Sequence, residues 1–287
     1  MMPIRSTFIA FSISVILLAS NWLAGCSSEK TDQQDQTQTA AGGGLKQIDT
    51  TAYADWQTVY YAPILFHYPE AHQEMGYFED MATSFKLALG RCSNFFDVPV
   101  PDTVEMYFYT GPGQCEEITG SVYPFVKDGV VHFTQPSYFG SPMAQFMIKK
   151  WVPKEPKFRF LREGAIALLD YSNQNYYQST RDYIDHDSLI GLAELAVDTT
   201  VNSDKERYQS ALAATFVDYF TLRYGIVTLR ALYSTDLPFD QAIAHATGKS
   251  VNQVQHDWLR FVDGALKAMN EKDNSIIDSI VSQRGKL

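Results

Sequence analysis

The hydrophobic pattern of the chain changes near residue 140, and this change constrains the fold more than any other feature. From about residue 56 to 134, strand signals alternate with helix signals: apolar β-formers are concentrated at 59–68, and apolar residues alternate with polar ones at 104–108. After residue 140, apolar residues recur every three or four positions, as on the buried face of a helix. The pattern predicts an α+β fold with a small, mostly antiparallel sheet and a helix in the N-terminal half, followed by a helical C-terminal half.

Local signals locate several of these elements. Five apolar residues recur at helical spacing in the N-terminal half: Met75, Phe78, Ala82, Phe85 and Leu89. Asp128-Gly129 separates two apolar runs and is typical of a hairpin turn. Ser141 is placed to cap a helix whose first position is Pro142, and residues 250–253 form a capping box.

The N-terminus has the parts of a secretory leader. Arg5 supplies the positive charge, an apolar run follows at 8–18, and the tetrad Leu23-Ala24-Gly25-Cys26 comes next. The tetrad resembles the lipobox of bacterial lipoproteins, in which the cysteine is diacylated and becomes the first mature residue; a plain signal peptide is the alternative. The resemblance implies a lipid anchor on Cys26. Ser27, in place of an aspartate, implies the outer membrane, with the domain facing the periplasm.

Composition divides the remaining chain into three parts. Residues 26–46 are polar and glycine-rich, which predicts a flexible tether. Residues 47–269 are enough for one domain with a sizeable core. The polar composition of residues 270–287 predicts a polar helical tail. Loss of residues 1–25 removes Arg5 and no acidic residue, so the formal net charge changes from -10 to -11. An acidic domain argues against nucleic acid as a partner.

One segment of the helical half carries a family resemblance. Residues 160–167, Phe-Leu-Arg-Glu-Gly-Ala-Ile-Ala, resemble the W-L-x-E-G-x-A segment of gluzincin-type metallopeptidases, the peptidase MA-like group. The resemblance extends over about residues 55–265, with further family-like pieces within 208–262. It implies a zincin-like fold, in which the glutamate, here Glu163, is the third zinc ligand. The two other ligands and the general base come from an H-E-x-x-H helix that precedes it.

The sequence contains no H-E-x-x-H motif. On the family template, Ala144 and Ile148 stand at the histidine positions and Gln145 at that of the base. Alanine and isoleucine donate no lone pair, and a neutral glutamine accepts no proton. We therefore expect no zinc, no other cofactor and no peptidase activity, with Glu163 either reaching solvent or bonded to new partners. The candidate partners are Arg159, Arg162 and Gln145.

These inferences predict a membrane-anchored binding or scaffold protein without catalytic residues. Its vestigial cleft, formed by Ala144, Gln145, Ile148 and Glu163, or its surface would hold a peptide or an envelope partner. The alternative is an active hydrolase on the same scaffold. Such an enzyme would be a metallopeptidase with other ligands or would use a pair of carboxylates.

Further residues bear on the hydrolase alternative. The carboxylate pair would be Glu163 and Asp170, and missing metal ligands would come from His132 or the acidic segment at 182–187. For His132 we expect an ordinary strand histidine, and for the acidic segment an exposed loop. Tyrosines are abundant after the Glu163 helix, where they either pack in the core or line a cleft for sugar or peptide: Tyr171, Tyr176, Tyr177 and Tyr183.

Cys92 and Cys115 are the remaining cysteines. In an oxidising periplasm, an even number favours a disulfide. The bond would link the end of the first helix to the loop after the next strand. Two buried free thiols are the alternative.

Overall fold

The computed structural model describes residues 45, 47–48, 50–70, 77–134, 139–170, 174–186, 189–197 and 203–284, with the backbone alone at 50, 203–208 and 273–284. The predicted leader, the predicted lipobox with Cys26 and nearly all of the predicted tether lie outside these residues. Met75, from the predicted first helix, also lies outside them.

The N-terminal half contains five strands and two helices. In chain order these are β1 (Gln57–Tyr61), β2 (Ile64–Tyr68), α1 (Phe78–Phe96), β3 (Val104–Tyr109), α2 (Pro112–Thr119), β4 (Phe125–Lys127) and β5 (Val130–Thr134). A short 3-10 helix, Thr50–Tyr53, precedes them. The helical half comprises α3 (Gly140–Trp151), α4 (Arg159–Leu168), α5 (Tyr176–Asp185), α6 (Leu192–Val197), α7 (Ser203–Tyr224), α8 (Ile226–Ser234), α9 (Phe239–Thr247) and α10 (Val251–Arg284). The α+β class is confirmed.

The sheet is mixed, so the prediction of a mostly antiparallel sheet is wrong. The strand order is β1-β2-β3-β5-β4, with antiparallel pairs at the two edges and parallel pairs β2–β3 and β3–β5 in the centre. Helix α1 connects β2 to β3, and such a crossover returns the chain to the same end of the sheet. The short helix α2 is part of a second connection of this kind, from β3 to β5, which the sequence pattern did not predict.

Two hairpins form the sheet edges. The expected strand at 59–68 is divided into β1 and β2, because the turn Ala62-Pro63 interrupts it. Proline has no N–H for the ladder and is disfavoured inside a strand. The second hairpin, β4–β5, forms where Asp128-Gly129 predicted it, with φ of +52° and +81° at these two residues. Both values suit the primed turn that joins two antiparallel strands tightly.

The sheet separates two apolar clusters. Side chains alternate along β3, so Val104, Met106 and Phe108 pack on one face with α1 and α3, within the main core. Tyr109 points to the opposite face and packs in a smaller cluster with Cys115 of α2. The helical half extends the main core, with α4 packed along α7 and with Trp258 of α10 completely buried.

The predicted disulfide between Cys92 and Cys115 is not present. Both thiols are free and buried; Cys92 lies in the main core, whereas Cys115 lies in the smaller cluster across the sheet. Cys115 is also part of helix α2, not of a loop. Burial raises the pKa of Cys92 to about 12 and that of Cys115 to about 11. Thiols that stay protonated at neutral pH are poor nucleophiles.

Helix α10 has 34 residues and passes without a break from the domain into the polar tail. Its buried face includes Val254, Trp258 and Val262. At 1.5 Å per residue, a helix of this length extends about 50 Å. Within the described ranges, no helix combines the length and the apolar composition that a membrane span requires.

Candidate functional site

Helix α3 carries the positions at which the family template has its histidines. Ala144 and Ile148 are buried in the main core, with 0% and 1% of their surface exposed. The helix begins at Gly140, whose N–H donates to the carbonyl oxygen of Asp170 at 3.2 Å, so Ser141 is not its cap. The two positions fill the core with apolar atoms and offer nothing to a cation.

Glu163 on α4 has cationic partners. The Arg162 guanidinium contacts its Oε1 at 2.9 Å, and Arg159 contacts the same oxygen at 3.4 Å. The expectation of replacement partners is therefore confirmed for both arginines. It is wrong for Gln145, whose Nε2 lies 3.4 Å from Ser141 Oγ on its own helix.

The two arginines belong to a wider ion-pair cluster where α3 connects to α4. Arg162 also bonds Glu155 at 2.9 Å, and Glu155 in turn bonds Lys149. Partial burial raises the pKa of Glu155, but its bonds to Lys149 and Arg162 outweigh this and bring the pKa below its ordinary value. Burial likewise lowers the pKa of Arg162, and Glu163 and Glu155 outweigh that effect, so the pKa is raised and the guanidinium stays charged.

The four positions of the predicted vestigial cleft do not form one polar cleft. Ala144 and Ile148 lie in the core, Gln145 bonds within α3, and Glu163 belongs to the ion-pair cluster. A dication beside Glu163 would face two guanidinium groups at close range. Like charges at such distances repel strongly when partly buried.

The other predicted metal ligands lie elsewhere. His132 is 4% exposed and stacks on Phe125 with 4.4 Å between ring centroids, on the sheet face opposite α3. Its Nδ1 lies 2.7 Å from the hydroxyl of Tyr109, as expected of a satisfied strand histidine. Burial, with a smaller effect of Lys127, lowers its pKa to about 4.

The acidic segment at 182–187 is not a loop. Residues 182–185 form the last turn of α5, His186 caps that helix, and Asp187 lies outside the described residues. Arg181 of the same helix pairs with Asp185 at 2.7 Å and with Asp263 of α10 at 2.8 Å. In the part of the chain that the structure describes, no three or more His, Cys, Asp or Glu side chains are grouped to hold a metal.

A pocket of about 390 Å³ opens at the end of α4, and we call it the α4–α5 pocket. It is lined by Arg91, Ala167, Leu168, Asp170, Gln174, Asn175, Tyr176, Tyr177, Ala214, Thr215 and Met269. Asp170 is 1% exposed and accepts a hydrogen bond of 2.6 Å from the hydroxyl of Tyr176. Asp170 and both tyrosines were candidates from the sequence. The other lining residues were not, because they come from four further helices and from the segment before α5.

A second tyrosine–carboxylate bond holds the wall of the pocket. The hydroxyl of Tyr177 donates to Asp218 of α7. Burial raises the pKa of Asp218, and the Tyr177 bond only partly offsets this. Consecutive tyrosines at the start of α5 are therefore fixed to two different parts of the helical half. Asn175 caps the same helix, with its side chain accepting from the Gln178 N–H at 3.1 Å.

Glu163 and Asp170 do not form a catalytic carboxylate pair. Glu163 lies in the middle of α4, whereas Asp170 lies two residues beyond the end of that helix. Asp170 lines the α4–α5 pocket, whereas Glu163 lies in the ion-pair cluster. Two carboxylates that cleave a glycoside flank the same bond, so this arrangement does not support the carboxylate hydrolase.

Comparisons with protein-family models, with curated proteins and with solved structures find no match to this chain.

Proposed function

We propose that this chain is a lipid-anchored protein of the bacterial envelope, whose peptidase-like domain cleaves no peptide and instead binds a peptide or an envelope partner. The observation that carries the proposal is the pairing of Glu163 with Arg162 and Arg159. A carboxylate that ligates zinc needs its lone pairs for the metal. Here the guanidinium groups of Arg162 and Arg159 both contact Oε1 of Glu163.

The architecture supports the same proposal. A sheet is followed by α3, which carries Ala144 and Ile148, and then by α4, which carries Glu163. This order agrees with the resemblance to gluzincins. Substitution of both histidines and of the base removes all the chemistry that the metal and its water would supply. The proposed protein keeps the scaffold and uses its surface for binding.

A peptidase assay with a chelator tests the absence of catalysis. The purified mature chain, incubated with casein and added zinc, is expected to release no peptides above a protein-free blank. Glu163→Gln should leave this result unchanged and lower the free energy of unfolding by about 1–2 kcal/mol, because partly exposed ion pairs contribute little. Glu155→Gln, which removes the other carboxylate of the same ion-pair cluster, is the matched control for the loss of an ion pair. Cleavage that a chelator and Glu163→Gln both abolish would contradict the proposal.

The membrane anchor has a separate test. Cys26→Ser is expected to leave the precursor unprocessed, because lipoprotein maturation needs the thiol for acylation. The wild-type chain should fractionate with membranes, as should Ser28→Ala, a control for substitution near the cleavage site. Processing and release of Cys26→Ser at the wild-type level would show that the leader is an ordinary signal peptide.

A further inference from the structure

We propose that the α4–α5 pocket binds one ring of a neutral polyhydroxylated ligand, that is, a saccharide unit. Its volume of about 390 Å³ falls at the small end of the range of about 300–1,000 Å³ that is common for small-molecule sites. A space of this size accommodates a single sugar ring with a few waters. A longer ligand, such as an extended peptide or a dinucleotide, would project beyond it.

The charges of the lining favour a neutral ligand. Among the described residues that line the pocket, Asp170 and Arg91 carry formal charges, and these charges cancel. Asp170 is buried at the base, whereas Arg91 is exposed at the rim. A phosphate group placed at the start of α5 would approach the buried carboxylate and be repelled. A hydroxyl group can donate to the carboxylate and accept from the guanidinium without a net charge of its own.

The aromatic walls are fixed before any ligand arrives. The hydroxyl of Tyr176 bonds Asp170, and the hydroxyl of Tyr177 bonds Asp218, so both rings are held at their polar ends. Tyrosine combines a large apolar ring face with a polar end. The C–H face of a sugar ring is apolar and packs on such faces. Side chains fixed in advance lose less conformational entropy on binding.

The remaining lining matches a ring that has hydroxyl groups on its edge. Gln174 has an amide that both donates and accepts, as hydroxyl groups do. The Asn175 side-chain oxygen serves the cap of α5, so its amide nitrogen is the group that can donate to a ligand. Ala167 and Ala214 form a floor of small apolar side chains, buried with Tyr176 in one cluster. A pocket with polar groups at its edge and apolar side chains on its floor favours a saccharide over a purely apolar molecule.

Ligand-observed NMR on the mature chain tests this site. The probes are methyl glycosides of glucose, galactose and mannose, and N-acetylglucosamine, each titrated with saturation-transfer detection. We expect at least one to bind with a Kd on the order of 1 mM, because a single ring buries little surface. Arg91→Ala and Gln174→Ala should each weaken that binding at least fivefold. Lys86→Ala removes an exposed charge from the same helix as Arg91, outside the pocket, and should change binding less than twofold.

Three outcomes would overturn the proposal. The first is the absence of saturation transfer to every saccharide at 20 mM, on the order of 20 times the expected Kd. The second is unchanged binding in Gln174→Ala and Arg91→Ala, when thermal melts show both variants to be folded. The third is preferential binding of a free amino acid such as glycine or glutamate. The site is separate from the Glu163 cluster, so cleavage of casein would contradict the proposed function and leave this one standing.

Discussion

Gly164→Ala is expected to destabilise the domain by about 3 kcal/mol or more. A Cβ atom at this position would lie 2.4 Å from the carbonyl oxygen of Ala213 and 2.9 Å from Val217 Cγ2. The first of these is a backbone atom of α7, which moves only if the whole helix moves. Within the part of the chain that the structure describes, α4 and α7 pack together more extensively than any other two helices, so their separation is costly.

Gly90→Ala is the matched control for this substitution. Gly90 also lies inside a helix, α1, but a Cβ atom there would meet nothing within 4 Å. Alanine has the higher helix propensity, so this variant should gain about 0.5–1 kcal/mol. Urea unfolding of both variants followed by circular dichroism measures the difference. If Gly164→Ala unfolds within 1 kcal/mol of the wild type, the close approach of α4 and α7 is wrong.

Acidification from pH 6.5 to 4 is expected to cost the domain about 3 kcal/mol through His132 alone. Its pKa is lowered from 6.5 to about 4 in the folded protein, first by burial and then by Lys127. Below pH 6.5 the unfolded chain binds a proton at this residue, whereas the folded chain does so only near pH 4. The stabilisation is therefore complete above pH 6.5 and declines as the pH falls through this window.

His132→Gln isolates this effect from the titration of the carboxylates. Glutamine is neutral throughout the window and can accept a hydrogen bond from the hydroxyl of Tyr109. The free energy of unfolding, measured by urea at half-unit steps of pH, should depend less steeply on pH in this variant than in the wild type. Thr83→Ala, an exposed substitution on α1 that removes no ionisable group, is the control and should keep the wild-type slope. Equal slopes for the wild type and His132→Gln would refute the low pKa.

Local patterns predicted local structure well. The apolar spacing of Phe78, Ala82, Phe85 and Leu89 predicted α1, and Asp128-Gly129 predicted the β4–β5 hairpin, because both depend on neighbouring residues. The arginine partners of Glu163 could be named for the same reason. Arg159 lies four residues before Glu163, on the same face of the helix. Arg162 is its neighbour in the chain, and the long side chain reaches the carboxylate.

Features that depend on long-range packing were missed. Helix α2 begins at Gly111-Pro112-Gly113, which reads as a turn, so the crossover that aligns the central strands was not identified. Sequence spacing allowed a bond between Cys92 and Cys115, but it carries no information on which face of a sheet each thiol occupies. The α4–α5 pocket is lined by side chains from five helices, so no single segment of the sequence could predict it.

We infer that the Glu163 position holds no metal, and the zinc content of the mature chain measures this. The protein would be purified without chelators, incubated with a twofold excess of zinc, desalted and analysed by atomic emission together with Glu163→Gln. We expect far less than one zinc per chain and no difference between the two proteins, because Arg162 and Arg159 already neutralise the carboxylate. One zinc per wild-type chain that is lost in Glu163→Gln would show that Glu163 is a metal ligand.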